Sequence, residues 1–183
     1  MVEHDVTTSS PEQVVIKIAE YDPAWVAQFA AHEAKIMQAL GPRALQVEHI
    51  GSTSVPGLAA KPIIDILIVV ADSADESTYL DALISAGYEL RWREPDFFEH
   101  RMVRTPERDT HVHIYSTGCG EIERYLLLRN HLRKHAEARN EYARIKRGLA
   151  KQSWATMNDY ANAKTEIIER LIRTARGTSH SAA

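Results

Sequence analysis

Cysteine is almost missing: Cys119 is the single one among 183 residues. One thiol excludes an intrachain disulfide framework and any Cys-rich zinc module. Long apolar runs are missing as well. The longest near run, Ile63 to Val70, carries Asp65 inside it and is far shorter than the ~20 residues of a membrane-spanning helix. Aromatic residues make up only 7% of the chain. No aromatic-rich basic strand occurs, so no dedicated nucleic-acid module is expected. The opening residues, Met1 to Asp5, are polar and acidic, unlike a secretory signal, so the expected compartment is the cytoplasm. What remains is ordinary globular composition, 44% hydrophobic and 26% charged, which excludes collagen, coiled coil and wholesale disorder.

Neither sign of charge dominates, since the net charge is −3. The distribution is uneven, however. Residues 124–176 hold thirteen Lys/Arg against five Asp/Glu, and residues 1–123 hold nine against twenty. The basic end reads either as a solvated helical face or as one wall of a site for an anionic ligand.

Residues 1–12 read as a frayed leader and Gly177 to Ala183 as a disordered tail. Between them, residues 13–176 read as one domain, with an α/β part over 13–116 and a helical part over 121–176. Val14 to Glu20 has the β-branched texture of a strand. Asp22-Pro23 reads as a helix start. The helix that follows places Trp25, Phe29, Ile36, Met37 and Leu40 on one stripe and stops at Gly41. Strands are expected at 44–50, 63–70, 88–92, 98–104 and 110–115, with a helix over 76–86 whose inward residues are Tyr79, Leu80, Leu83 and Ile84. The strand over 63–70 is the most apolar and is expected to be central, buried on both faces. Three helices, over 121–135, 137–151 and 158–174, end the chain.

The chemistry concentrates in one stretch. Gly51-Ser52 follows a strand, allows close approach of backbone to a ligand, and offers a hydroxyl beside exposed N–H groups; such a turn cradles phosphate, although most Gly/Ser/Pro loops are only loops. Thr53 and Ser54 extend it. Asp65 sits between Ile64 and Ile66, where a carboxylate is costly unless it is paired, hydrogen-bonded or bound to metal. The thirteen positions from Ser52 to Asp65 suit a loop that leaves one strand and returns along its neighbour, bringing both to one mouth. His111 and His113 alternate on one strand and share a face. With His49 they form a set suited to a divalent metal or phosphate; taken singly, each is equally a half-buried polar residue. Lys61 is either a point charge for phosphate or a surface lysine. On the helices, Arg129 with Arg133, and Tyr160 with Lys164, stand at i, i+4 and are placed to cap a pocket. No His-Glu-x-x-His spacing occurs, and Cys119 has no histidine at a telling distance.

These segments resemble the GrpB family, small bacterial proteins of the nucleotidyltransferase-like superfamily. The resemblance rests on Tyr21-Asp-Pro-Ala-Trp25, on Glu48 through Ile66, on His111-Val-His113, on Leu128 through Arg133, on Glu141 through Lys146, and on Tyr160 through Lys164. It covers about Ile16 to Ile172. It implies an α/β fold: a mixed, twisted nucleotidyltransferase-like sheet flanked by helices, with a C-terminal helical bundle closing over it. It also implies a Gly-Ser turn for nucleotide phosphates and strand carboxylates for metal. Gly51-Ser52 and Asp65 match that pattern. Leu67 stands where a second carboxylate is expected, and His111 and His113 stand near the place of a third.

The resulting expectation is a nucleotide or other phosphate-bearing ligand at Gly51, Ser52, Thr53, Ser54, Lys61, His49, His111, Arg129, Tyr160 and Lys164. A divalent metal, Mg or Mn, is expected on Asp65 and His113, which also carry the catalysis if a nucleotidyl group is transferred to a small acceptor. The alternatives are a non-catalytic nucleotide or coenzyme A binding module, since GrpB domains occur fused to dephospho-CoA kinase, and a His/Asp metal-dependent phosphohydrolase.

Overall fold

A computed structural model of the chain describes residues 15–180, with side chains through Gly177. The expected leader, Val14 and residues 181–183 lie outside that range. Of the strand expected at 14–20, only Ala19 pairs, with Ala60. Val15 is exposed, and among the described residues the rest of the run pairs with no strand.

Helix α1 (Ala24–Leu40) begins where Asp22 Oδ1 accepts the Ala24 N–H at 2.8 Å. Trp25, Ile36 and Leu40 are buried, while Met37 turns to solvent. Five strands follow: β1 (Gln46–Ile50), β2 (Ile64–Val70), β3 (Glu89–Glu94), β4 (His100–Arg104) and β5 (Thr110–Ser116). They form one sheet in the order β1-β2-β5-β4-β3, mixed because β2 and β5 run parallel and the other pairs antiparallel. The alternation of side chains along β2 and β5 divides the sheet into two faces. Ile64, Ile66, Ile68, Val70, Val112 and Ile114 pack under α1 and α2 (Leu80–Ser85) in the main core. Leu67, Val69 and Tyr115 face the opposite side with Ile50 and form a second cluster, against Ile122, Tyr125 and Leu126 of α3 (Gly120–Lys134). Apart from Asp65, every residue of β2 is buried, as expected of a central strand covered on both faces.

The helix expected over 76–86 is a 3₁₀ turn, Glu76–Thr78, followed by α2. Between them Tyr79 leaves helical geometry, buries its ring, and donates its hydroxyl to the Ser73 carbonyl at 2.6 Å. Ile84 is exposed rather than inward. Glu76 ties this segment to the sheet. Its carboxylate accepts from Arg93 on β3 at 2.7 Å and from Arg101 on β4 at 2.6 Å. The Arg93 hydrogen bond, with Arg101 beside it and against the cost of burial, holds the Glu76 carboxyl at about 2. A depressed carboxyl stabilises the fold above its unfolded value and loses that contribution as pH falls through the folded value. Glu76→Gln is therefore expected to flatten the acid limb of stability between about pH 5 and 2, measured by urea unfolding at stepped pH. An unchanged limb would remove this role.

The helical part comprises α3, α4 (Ala136–Ala150), α5 (Met157–Asn162) and α6 (Thr165–His180). Val55 and Leu58, from the loop after β1, are buried among Leu132, Tyr142, Ala143, Ile167 and Leu171. The bundle thus clamps the loop that carries Gly51-Ser52. The helix expected over 158–174 divides in two. Thr156 and Asp159 cap α5 reciprocally, at 3.1 and 2.9 Å, and the chain breaks at Ala163-Lys164. Helix α6 continues through His180 rather than ending near 174. Its stripe Ile167, Leu171 and Ala175 stays buried to the last turns, and Gly177 does not interrupt it.

Candidate functional site

The site lies on the sheet face turned toward the helical part, at the end of β1 and the start of β2 and β5. Pairing places Ile50 opposite Asp65, and Asp65 beside His111. Gly51 therefore follows directly above the carboxylate. Its φ of +68° with ψ of −174° is a conformation nearly restricted to glycine. A Cβ there would collide with the Asp65 carboxylate and stand 2.9 Å from the Asp65 Cβ. This is the physical content of the Gly-Ser-to-Asp spacing: the turn and the carboxylate meet.

Asp65 Oδ1 stands 3.5 Å from His111 Nδ1 and 3.9 Å from His113 Nε2. Both separations exceed hydrogen-bond length. Burial works against charge on Asp65, yet the facing edges of His111 and His113 hold its carboxyl well below the usual carboxylate range. Among the described residues these three form a group whose donor atoms lie within 4.8 Å of one another, close enough to hold one metal ion. Among the described residues no other such group of ligands occurs. Leu67 points to the same face but is fully buried in the Ile50–Tyr115 cluster.

Around Asp65 opens a cavity of about 440 Å³, within the ~300–1,000 Å³ range of small-ligand sites. Of the ligand residues expected from sequence, Gly51, Ser52, Lys61, His111, Tyr160 and Lys164 line it, together with His113. Lys146 of α4, Tyr125 of α3, Trp92 of β3 and Met102 of β4 line it too. Lys146 Nζ donates to Ser52 Oγ at 2.8 Å and to the Ala59 carbonyl at 2.6 Å. Burial first, then Lys164 and Arg147, brings its ammonium down to about 7, against the pull of Asp65. Burial lowers Lys61 and Lys164 in the same way, again opposed by Asp65. The Lys164 ammonium lies 4.5 Å from the centre of the Tyr160 ring, although the two residues are not on one continuous helix. Three lysines and one carboxylate leave the cavity short of negative charge.

Four expected ligand residues are placed elsewhere. His49 pairs with Ile66, not with Asp65, and so belongs to the opposite sheet face. There it stacks on Phe29 at 4.7 Å, and its Nε2 donates to Thr53 Oγ1 at 3.1 Å. Burial, with Arg133 and Arg129 nearby and Asp65 opposing, pushes it down to about 4. Thr53 donates onward to the Ile63 carbonyl at 3.0 Å, and Ser54 donates to the Gly51 carbonyl at 2.6 Å. Both side chains are buried beneath the turn. Arg129 reaches Glu48 Oε2 at 2.6 Å and the His49 carbonyl at 3.0 Å, while Arg133 donates twice to the Ser54 carbonyl. These residues shape the turn from behind and do not line the cavity.

Sequence reading missed Lys146. Its signal was present: Tyr142 and Lys146 stand at i, i+4 on the buried stripe of α4. Trp92 and Met102 carried no local signal, since only strand order brings them to the rim.

The chain matches the family described as GrpB protein over residues 15–174. A UPF0157 protein of Streptomyces coelicolor is 52% identical over 168 residues, covering 90% of this chain and 88% of that one. The crystal structure of conserved protein GrpB from Enterococcus faecalis aligns with a TM-score of 0.78 at 36% identity, covering 89% of this chain and 99% of that one. The Cid1 poly(U) polymerase, in a crystal structure with Mg and 3′-dATP bound, aligns with a TM-score of 0.54 at 15% identity over 73% of this chain and 43% of its own. At that identity the likeness concerns the fold, which is nucleotidyltransferase-like. A dephospho-CoA kinase of Mycolicibacterium paratuberculosis is 27% identical over 187 residues, covering 88% of this chain but 46% of that one. Among the described residues no helix is long and apolar enough to cross a membrane.

Proposed function

The chain belongs to the GrpB family, and from that premise and the geometry of the cavity we propose that it binds a nucleoside triphosphate and transfers its nucleotidyl group to a small acceptor. One observation carries this reading: Lys61, Lys146 and Lys164 line one cavity with the Gly51-Ser52 turn, a carboxylate and two histidines, and Lys146 donates to Ser52 Oγ. Ammonium groups lining a shared cavity, one of them buried, favour an anion there, and a polyphosphate supplies several negative oxygens. The Gly51 turn brings backbone close to those oxygens. The lysines neutralise the charge that grows on the leaving pyrophosphate. Asp65 with His113, and His111 beside them, would hold one divalent metal ion. Such an ion, when bound, polarises the phosphoryl group under attack. In the transfer, the acceptor oxygen bonds to the α-phosphorus, the bond to the β-phosphate oxygen breaks, and pyrophosphate leaves with that electron pair. The acceptor's proton passes to water at the cavity mouth. The cytoplasm, where nucleoside triphosphates are made and used, is the compartment this reading implies.

A second reading is a binding module for a nucleotide or coenzyme A that transfers nothing. The buried Leu67 favours it, because one side chain of the metal-binding pattern has become core. The similarity to a dephospho-CoA kinase points to a ligand of the coenzyme A kind.

Melting temperatures against a panel of nucleoside triphosphates and coenzyme A, with and without Mg²⁺ or Mn²⁺, separate the two. A ligand at about a hundred times its dissociation constant stabilises by about 2.7 kcal/mol, several degrees for a chain of this size. A metal-dependent shift with a triphosphate, lost in Asp65→Asn, supports the enzyme. A shift without metal dependence, and no pyrophosphate released, supports the module. If none of these ligands moves the melting temperature, the nucleotide reading falls.

A further inference from the structure

Two residues outside the cavity complete the surroundings of His113. His100 Nε2 lies 3.1 Å from His113 Nδ1, and His100 Nδ1 lies 2.6 Å from Glu94 Oε2. The Glu94 side chain is half-exposed, and its carboxylate oxygen accepts the hydrogen bond. The hydrogen on His100 Nδ1 therefore points at Glu94. The His100 ring is buried, lies within 12° of the plane of His113 with ring centres 5.2 Å apart, and stacks on Tyr115 at 4.7 Å. Glu94 thus holds His100, and His100 meets the His113 ring nitrogen that faces away from the cavity, the arrangement by which outer partners orient a metal-ligating histidine.

The consequence reaches the cavity. With Nδ1 taken up by His100, the nitrogen that His113 turns to Asp65 Oδ1 is Nε2, 3.9 Å away. His111 Nδ1 faces the same oxygen at 3.5 Å. Both distances are longer than a hydrogen bond and shorter than twice a metal–ligand bond of about 2.1 Å. One metal ion fits between these atoms. The donor set also selects the cation. Two imidazoles and one carboxylate suit ions of the manganese-to-zinc series, whereas Mg²⁺ takes oxygen ligands and keeps its waters.

We propose that Asp65, His111 and His113 form a mononuclear transition-metal centre, not a magnesium site, and that Glu94 and His100 are positioning residues that orient the His113 ring. This rests on the reading of the cavity as a single-metal phosphate site and names its metal class. Outer partners of this kind set ligand basicity and orientation, and removing one lowers metal affinity by about 10–100-fold.

The test uses the full chain freed of metal by a chelator. Co²⁺ is titrated by its ligand-field absorption, Mn²⁺ by the loss of the free-ion EPR signal, and Mg²⁺ by competition against Mn²⁺. The wild type is expected to bind one Co²⁺ or Mn²⁺ and to bind Mg²⁺ at least about a hundredfold more weakly. Glu94→Ala and His100→Phe are expected to lose about tenfold or more in Co²⁺ affinity. His100→Gln, whose amide keeps a hydrogen-bonding group toward His113 Nδ1, is expected to recover most of it. Because His100 is buried, metal-free melting temperatures are recorded first, and the half-exposed Glu94 gives a variant that does not disturb the core. If Asp65→Asn abolishes Co²⁺ binding while Glu94→Ala and His100→Phe bind as the wild type does, the positioning role is overturned and the metal centre stands. If Mg²⁺ binds as tightly as Mn²⁺, the metal class is overturned. If the wild type binds none of the three ions, the metal centre is overturned, and a triphosphate-induced melting shift without metal then shows whether the phosphate cavity itself stands.

Discussion

Alanine at Gly51 is expected to destabilise the protein by about 3 kcal/mol and to abolish ligand binding in the cavity. Two effects add. The backbone at Gly51, φ +68° and ψ −174°, lies in a region that costs a non-glycine residue about 1–3 kcal/mol. The new methyl also meets the Asp65 carboxylate, with the Asp65 Cβ only 2.9 Å away, so either the turn lifts or Asp65 rotates out of place. Neither movement is free. The turn is held from behind by Ser54 and Arg133, and by Lys146 on Ser52. A double-mutant cycle separates the two effects. Gly51→Ala in an Asp65→Ala background removes the collision with the carboxylate and keeps the backbone strain, so it is expected to cost less by about 1 kcal/mol or more. Urea midpoints at unchanged m-value give the four stabilities. Additivity within about 0.5 kcal/mol would show that the turn and the carboxylate do not touch in solution.

That contact explains why part of this site is legible in the amino-acid sequence alone. An aspartate inside an apolar strand is a local signal, and a loop of fixed length between two strands is nearly one as well. His111 and His113 are legible for the same reason, since period-two alternation fixes their common face. His49 fails on parity. It is two residues from Gly51, but the antiparallel register of β1 and β2 aligns Ile50 with Asp65, which turns His49 to the other face, onto Phe29. A shift of one position in the pairing would have brought it in, and nothing local fixes that register. Arg129 and Arg133 do share one helix face, but what that face meets depends on how α3 crosses β1. Glu94 and His100 need the β3–β4 hairpin and its pairing to β5 for their chain to His113 to exist at all. The fold itself is more legible. The strands and most helices follow from periodicity, and the errors fall where tertiary contacts override it: the unpaired run before Asp22, the break at Tyr79, and the break at Lys164.

Lys146 supplies the second large effect, and its sign can be worked through. In the free protein burial, with Lys164 and Arg147, brings its pKa to about 7, while Asp65 pulls the other way. Tyr142, whose ring centre is 4.6 Å from the ammonium, adds no full charge near neutrality. A bound polyphosphate favours the protonated form. Binding above pH 7 therefore takes up a proton, and affinity is highest below pH 7 and falls by up to about tenfold per unit above it. Between pH 7.5 and 9 a triphosphate no longer changes its own charge, so the slope there belongs to the protein. Lys146→Met is expected to weaken triphosphate binding about 100-fold at pH 6.5, the loss of a charge-assisted contact, and to flatten the profile above pH 7. Stability of the free protein moves the opposite way. A lysine with a folded pKa below its unfolded value leaves the unfolded chain holding more protons between about pH 7 and 10.5, so this group raises stability as pH climbs through that window. One residue thus predicts that affinity falls while free-protein stability rises over the same pH range, and that both slopes vanish together in Lys146→Met. Calorimetric titration and urea unfolding on the same samples measure the pair. A wild-type affinity that stays flat from pH 7.5 to 9, or a Lys146→Met variant that binds as well as the wild type, would remove Lys146 from the phosphate site.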